Sequence, residues 1–385
     1  MISENVFKIL QRVFGIEGEF VPLHQPSFSE NDYAYIKKCL DTTFVSSAGK
    51  FVDEFEARLA FYTGSKHAIA VVNGTSALHI ALKVAGIKKN DEVFVPSLSF
   101  IATANAVNYL GAVPFFVDVN ANDLGLDAEA LEDLLKSIAE PALGEFRNKK
   151  TGRRLKGLVP MHTFGHSADM DNLNKVASDF KLELVEDAAE ALGSFYKGRH
   201  AGTTGKLGIM SFNGNKIITT GGGGVILTDE PTLAKKARHI ASTAKIQHPF
   251  EYIHDEIGYN YRMPNLNAAL GCSQLEKLPE LLKSKRELFS LYKSLFSDVS
   301  GVKLFEEPCY CKSNYWLQTI ILSKQSLEER NKILKRTNDV GINTRPAWTL
   351  LHTLPPYRGN PRGNLSVSKK LFKSIINLPS SACLT

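Results

Sequence analysis

Lys216 stands between a polar, glycine-containing approach, Ser211-Phe-Asn-Gly-Asn215, and a glycine run, Gly221 to Gly224, after which Val225 to Leu227 reads as a strand. A lysine that forms an imine must be held still, partly desolvated so that it can be neutral, and open to a bulky ligand. Glycine meets the last need, because its backbone carries no side chain to obstruct an approach. A flexible hairpin with an incidental lysine has the same composition, so the segment alone leaves both readings open. Asp187 follows the apolar run Leu182 to Val185, where a carboxylate is poorly solvated unless a cation faces it. A protonated ring nitrogen would serve, and the anion would keep such a ring an electron sink. The plainer alternative is a cap on the turn into Ala188-Ala-Glu-Ala191. Gly74-Thr75-Ser76 lies between a strand and a helix, so free N–H groups, two hydroxyls and a helix dipole would converge there as an anion seat. Thr and Ser are also ordinary N-caps. Phe100, in another strand-to-helix loop, could stack on a flat ligand or lie in the core.

The elements that must position these groups alternate. Strands are expected over 68–72, 92–95, 113–117, 155–160 and 182–185, with helices over 77–85, 101–110, 131–138 and 171–180 between or after them. This rhythm predicts a mostly parallel, helix-covered sheet, in which ligands bind beyond the carboxyl ends of the strands, where the four features fall. After Asp229 the pattern changes. Helices are expected over 231–243 and 265–292, the second broken near Pro279, then a strand over 314–322, a helix over 327–340 and a proline-rich loop over 345–362. The implied division is an N-terminal helix and arm (1–29), a large domain (30–264) and a smaller C-terminal α+β domain (265–385). The first helix gathers Val6, Ile9, Leu10, Val13 and Phe14 on one face. Its other face is not notably basic, so docking on the protein's own body or a partner subunit is expected rather than a membrane surface.

Composition narrows the classes. Of 385 residues, 43% are hydrophobic and 22% charged, which suits a sizeable core, and the net charge of +6 is too diffuse to argue for nucleic acid. Five cysteines form no CxxC pair, which points to free thiols in a reducing, cytoplasmic setting. His162 and His166 are four apart, and Cys309 and Cys311 two apart, but neither pair has the ligand set of a metal site. No metal is expected, and no apolar run is long enough to cross a membrane. Neither a Walker A loop nor GxGxxG opens any helix.

An imine-forming amine, an acid for a ring nitrogen, an aromatic face and an anion seat are together the parts of a pyridoxal phosphate site. The chain resembles the DegT/DnrJ/EryC1/StrS sugar-nucleotide aminotransferases through Asn73-Gly-Thr-Ser-Ala-Leu78, Phe100-Ile-Ala-Thr-Ala-Asn105, Glu186-Asp-Ala-Ala-Glu190, Ser211-Phe-Asn-Gly-Asn-Lys216 and Gly258-Tyr-Asn-Tyr-Arg-Met263. The resemblance implies an α/β fold type I (aspartate aminotransferase-like) transferase with pyridoxal 5′-phosphate as cofactor. It also implies roles. Lys216 is the Schiff-base lysine, Asp187 the partner of the pyridine nitrogen, Glu190 a neighbour of the phenolic oxygen, and Phe100 the stacking ring. Gly74, Thr75, Ser76 and Ser211 hold the phosphate, joined by Asn260 from a neighbouring subunit, which makes the active unit a homodimer. Arg345, Trp348 and His352 belong to a substrate-side loop. Pro22-Leu-His-Gln-Pro26, His162-Thr-Phe-Gly-His-Ser-Ala-Asp169, Thr344-Arg-Pro-Ala-Trp-Thr-Leu-Leu-His352 and Ile376-Asn-Leu-Pro-Ser-Ser381 resemble the bacillosamine and legionaminic acid branch, which acts in bacterial glycan synthesis. That branch implies L-glutamate as amino donor and a UDP-linked 2-acetamido-2,6-dideoxy-4-ketohexose as acceptor. GDP-4-keto-6-deoxymannose is the competing acceptor. A dehydratase of the same fold carries histidine in place of the lysine, so Lys216 speaks against it. A non-catalytic relative would not keep Asp187, Ser211 and Lys216 together.

Overall fold

The computed structural model describes residues 2–14 and 20–384. Its main sheet is built from β1 (His67–Val71), β2 (Glu92–Pro96), β3 (Val113–Val117), β4 (Arg154–Leu158), β5 (Glu183–Asp187), β6 (Leu207–Ser211) and β7 (Gly224–Thr228), in the order β1-β7-β6-β5-β4-β2-β3. Strands β3, β2, β4, β5 and β6 run parallel, and β7 is antiparallel to both β6 and β1. Most strand residues are buried, as continuous apolar strands require when helices cover both faces. One cover is the helix Gly74–Val84, whose Ala77, Leu78 and Ala81 pack against Ile69, Ile209 and Ile226. A hairpin, Ala139–Ala142 with Glu145–Asn148, extends β4 by antiparallel pairing. It was not expected, because these residues carry no clear apolar alternation.

The second sheet is antiparallel, in the order Val302–Leu304, Gln318–Leu322, Ile375–Leu378, Arg345–Pro346. The expected strand over 314–322 is thus shorter at its start, since Tyr315 takes a positive φ of 47° and the chain turns there. The expected break near Pro279 is absent. Asn265–Phe296 is one helix of 32 residues containing Pro279. That proline is exposed, and it removes only one backbone donor from the long helix. The first half of this helix packs Ala268, Ala269 and Cys272 against Phe55, Leu59 and Phe212. Its second half packs Leu288, Tyr292 and Phe296 against Ile320, Ile333 and Ile376, so one rod ties the two sheets together.

The N-terminal helix Ile2–Phe14 docks on the protein's own body. Val6 and Leu10 enter that same second cluster, while Glu4 pairs with Arg336 and the Ser3 N–H donates to Glu329. Among the described residues no helix is long and apolar enough to cross a membrane.

Candidate active site

A cavity of about 280 Å³ opens at the carboxyl ends of β5 and β6. Asp187, the last residue of β5, forms part of its floor and is buried. Thr103 Oγ1 donates to Asp187 Oδ2 at 2.7 Å and the Ala189 N–H to Oδ1 at 3.3 Å. Burial raises the Asp187 pKa; the Thr103 and Ala189 donors and the positive charge of Lys216 pull the other way. A buried carboxylate held by neutral donors leaves room for a cation above it.

Lys216 follows β6 on a turn closed by its own N–H to the Asn213 carbonyl (3.0 Å). Its Nζ lies 3.2 Å from Glu190 Oε1 and 3.9 Å from the ring centroid of Trp316. Glu190 is fixed from the other side by the Phe164 N–H, 2.9 Å from Oε2, and burial pushes its pKa up to about 7.

The anion end is assembled by two glycines. A Cβ on Gly224 would stand 2.5 Å from the Asn73 backbone, and one on Gly74 2.9 Å from the Ser211 Cβ. Their absence lets the start of the helix Gly74–Val84 lie against the end of β6, so that Gly74, Thr75 and Ser211 line one wall. Positive helix-end dipole and hydroxyls then meet at one spot.

The structure therefore brings Gly74, Thr75, Phe100, Asp187, Glu190, Ser211, Lys216 and Trp348 around one space. Phe100 is 50% exposed at its mouth, and Trp348 packs on Phe164 with ring centroids 5.0 Å apart. Other expected residues lie elsewhere. Ser76 is buried in the helix start, its N–H taken by the N-cap Asn73 at 2.7 Å. Asn260 is exposed and outside this chain's own cavity. Arg345 is exposed and donates to Asn338 (3.3 Å). His352 is buried against Ser97, Nδ1 to Oγ 2.7 Å, turned from the space that Trp348 lines. His162 and His166 form no metal pair. His162 Nε2 bonds Glu186 at 2.8 Å while Nδ1 accepts the Ala168 N–H. The His166 ring packs on Phe305 and Tyr315, and burial lowers its pKa to about 3.

Two contributors were missed. Thr103 anchors Asp187 from within the small-residue helix after Phe100. Trp316 roofs Lys216 from the second sheet's side, its indole N–H donating to the Asn215 carbonyl at 2.7 Å. One signal was available: the chain has two tryptophans, and both line this cavity.

An amine and a buried acid facing one flat space, with an anion seat at its end, on a mostly parallel sheet of this strand order, make a fold type I site that fits pyridoxal phosphate. The family's sequence model matches residues 26–385. The chain belongs to the DegT/DnrJ/EryC1/StrS aminotransferase family and is a pyridoxal phosphate-dependent sugar-nucleotide aminotransferase. It is 37% identical over 361 residues to the GDP-perosamine synthase of Caulobacter vibrioides, covering 94% of this chain and 93% of that one. It is 35% identical over 367 residues to the GDP-perosamine synthase of Escherichia coli O157:H7, covering 95% of each. Among solved structures, the aminotransferase TlmJ from Streptoalloteichus hindustanus superposes with a TM-score of 0.86 at 27% identity, covering 95% of both chains.

Proposed function

We propose that this enzyme transfers the amino group of L-glutamate to C4 of GDP-4-keto-6-deoxymannose, in the cytoplasm and as a homodimer. The observation that carries the acceptor is the pair of GDP-perosamine synthases matched over nearly the whole chain. It reverses the order of preference drawn from the short motifs, which placed a UDP-linked acetamido sugar first. Those motifs are short stretches, whereas the match to the synthases runs through both sheets.

The cofactor supplies an electrophilic carbon that holds the migrating amine and a ring that takes up an electron pair from the donor Cα. Asp187 would face the ring nitrogen and keep it protonated. Gly74, Thr75 and Ser211 would hold the phosphate, and Phe100 and Trp348 would bound the face by which the sugar enters. Lys216 would carry a proton away from the donor Cα and, in the second half, deliver one to sugar C4; a single mobile base on one face suffices for both.

The second subunit is supported by what this chain leaves uncovered. Phe250, Tyr252 and Ile257, around the hairpin Lys245–Ile246 with Ile253–His254, are 80%, 82% and 78% exposed. Such an apolar group asks for a cover. In such a dimer Asn260, which follows directly and is exposed, would reach a neighbour's phosphate seat.

The test offers the enzyme, in its pyridoxamine form, GDP- and UDP-4-keto sugars in turn. Return of the visible absorbance of the lysine-bound cofactor is expected to be faster with the GDP sugar. Faster return with the UDP sugar would restore the other order.

A further inference from the structure

Glu190 is placed to do more than border the cofactor. It is 4% exposed; one carboxylate oxygen is fixed by the Phe164 N–H, and the other is aimed at Lys216 Nζ, 3.2 Å away. The backbone around it is tied down as well. Asn314 donates to the Glu190 carbonyl at 2.9 Å, and its own Oδ1 accepts the Trp316 N–H at 2.8 Å. Carboxylate and indole thus hold the same nitrogen from two sides, and both favour its ammonium form. An ammonium has no lone pair with which to form a bond, so a site that captures a carbonyl through this nitrogen must also take a proton from it.

We propose that Glu190 is the proton acceptor that frees the Lys216 lone pair for capture of the cofactor, and that it keeps this proton while the lysine is engaged. The inference rests on Lys216 being the imine-forming lysine. In the first step one proton passes from Nζ to Oε1, leaving a neutral amine beside a neutral carboxylic acid. The lone pair then forms the C–N bond with the aldehyde carbon. The aldehyde oxygen leaves as water with the two protons that remained on nitrogen. Charge is balanced throughout, and no ion is left buried alone, which a low-dielectric pocket would penalise. A protonated Glu presents one donor and one acceptor, as an amide does, so Glu190 in this form can donate to an anionic ring oxygen. The carboxyl already titrates near neutrality: burial raises it to about 7 while Lys216 opposes the rise and the charge of Asp187 adds to it. Of the other titratable groups nearby, His162 is bonded to Glu186, and burial lowers the pKa of His24, which also feels the Lys216 charge.

The test follows cofactor capture. Apoprotein is mixed with pyridoxal phosphate between about pH 5 and about pH 9, and the growth of visible absorbance is timed; a positioned proton acceptor contributes roughly a hundredfold or more. In the wild type the capture rate is expected to rise with the ionisation of Glu190 and level off above it. In Glu190→Gln the plateau disappears, the rate climbs across the whole range, and near neutrality it is slower by about a hundredfold. An unchanged rate and profile in Glu190→Gln would overturn the proposal while leaving Lys216 in its role. A wild type that captures no cofactor would instead overturn the assignment of Lys216, and the proposal with it. Should the variant not fold, the wild type alone decides. Reaction of Lys216 with acrylonitrile in the apoprotein, read by mass spectrometry, must show a step at the pH where Glu190 ionises. A rate that rises through that pH without a step overturns the proposal.

Discussion

The cavity has two halves of different construction. The floor comes from strand ends. Asp187 on β5 is level with Ile209 on β6, and Ser211, two residues further, projects to the same face of the sheet. Acid and hydroxyl are thus placed by one parallel register, and Lys216 follows on a closed turn. The roof comes from loops beyond residue 300. Trp316 is held at its N–H by Asn314, at its carbonyl by the buried Lys285 (2.7 Å), and at its indole by Asn215. Trp348 rests on Phe164. The floor groups are fixed by sheet register, which a one-residue slip would invert, whereas the roof is assembled from side-chain contacts that can vary without disturbing the floor.

Loss of a floor group should therefore abolish chemistry. Lys216→Ala removes the proposed attachment point and mobile base, and turnover should fall by about 10⁴-fold, with the visible absorbance of the lysine-bound cofactor lost. An unchanged spectrum would contradict the assignment. Asp187→Asn keeps the shape and removes the charge. We expect kcat to fall by roughly 10² to 10³, the scale of one preorganised electrostatic contact, and the variant to bind pyridoxal phosphate more weakly by equilibrium dialysis. If only KM moved, the floor would be no different from the roof.

The floor was legible in the sequence for the same physical reason that it is rigid. Strands buried on both faces announce themselves as apolar runs, and the groups that follow them must lie at the sheet's carboxyl edge. Lys216, Asp187, Ser211 and Gly74-Thr75 could be read that way. The roof could not. Trp316 reaches Lys216 only because the chain turns at Tyr315 and because Asn314 spans to the Glu190 and Leu192 carbonyls; no periodicity encodes such contacts. His352 shows the converse, since a polar residue in a promising loop proves to be buried against Ser97. The helix through Pro279 was misread because local propensity says nothing of the packing on both sides that holds it.

The stability of the apoprotein should separate the halves again. Glu190 has a folded-state pKa of about 7, above the value of about 4.3 expected when unfolded. Its neutral form is thus favoured by folding. The stability it contributes is complete below the unfolded value and lost as pH rises through the folded one. Glu190→Gln does not ionise. Relative to wild type, the variant should gain on the order of 3 kcal/mol between about pH 4 and about pH 8, measured by urea unfolding without cofactor. A gap that is constant with pH would mean the carboxyl ionises as freely in the fold as outside it. On the roof, Trp348→Ala should raise KM for the sugar about tenfold, the equivalent of about 1.4 kcal/mol of lost aromatic contact, and leave cofactor capture unchanged. A collapse of kcat there would erase the distinction between roof and floor.

The smallest effect is expected where sequence and structure part at the anion seat. Thr75 and Ser76 are adjacent and both carry hydroxyls, yet only Thr75 lines the cavity. Ser76 is turned into the helix start, with its N–H held by Asn73. Ser76→Ala therefore removes a hydroxyl from outside the phosphate wall. Cofactor affinity should change by less than about twofold, the scale of a contact worth a few tenths of a kcal/mol. Ser211→Ala removes one from the wall itself and should weaken binding about tenfold, as the loss of a hydrogen bond to a charged group does. The two variants differ by the same single oxygen, so their ratio in a fluorescence titration with pyridoxal phosphate reads position alone. Equal losses would mean that the helix start rotates when the phosphate arrives, releasing the Ser76 N–H from Asn73, and the seat would then be formed by binding instead of standing ready for it.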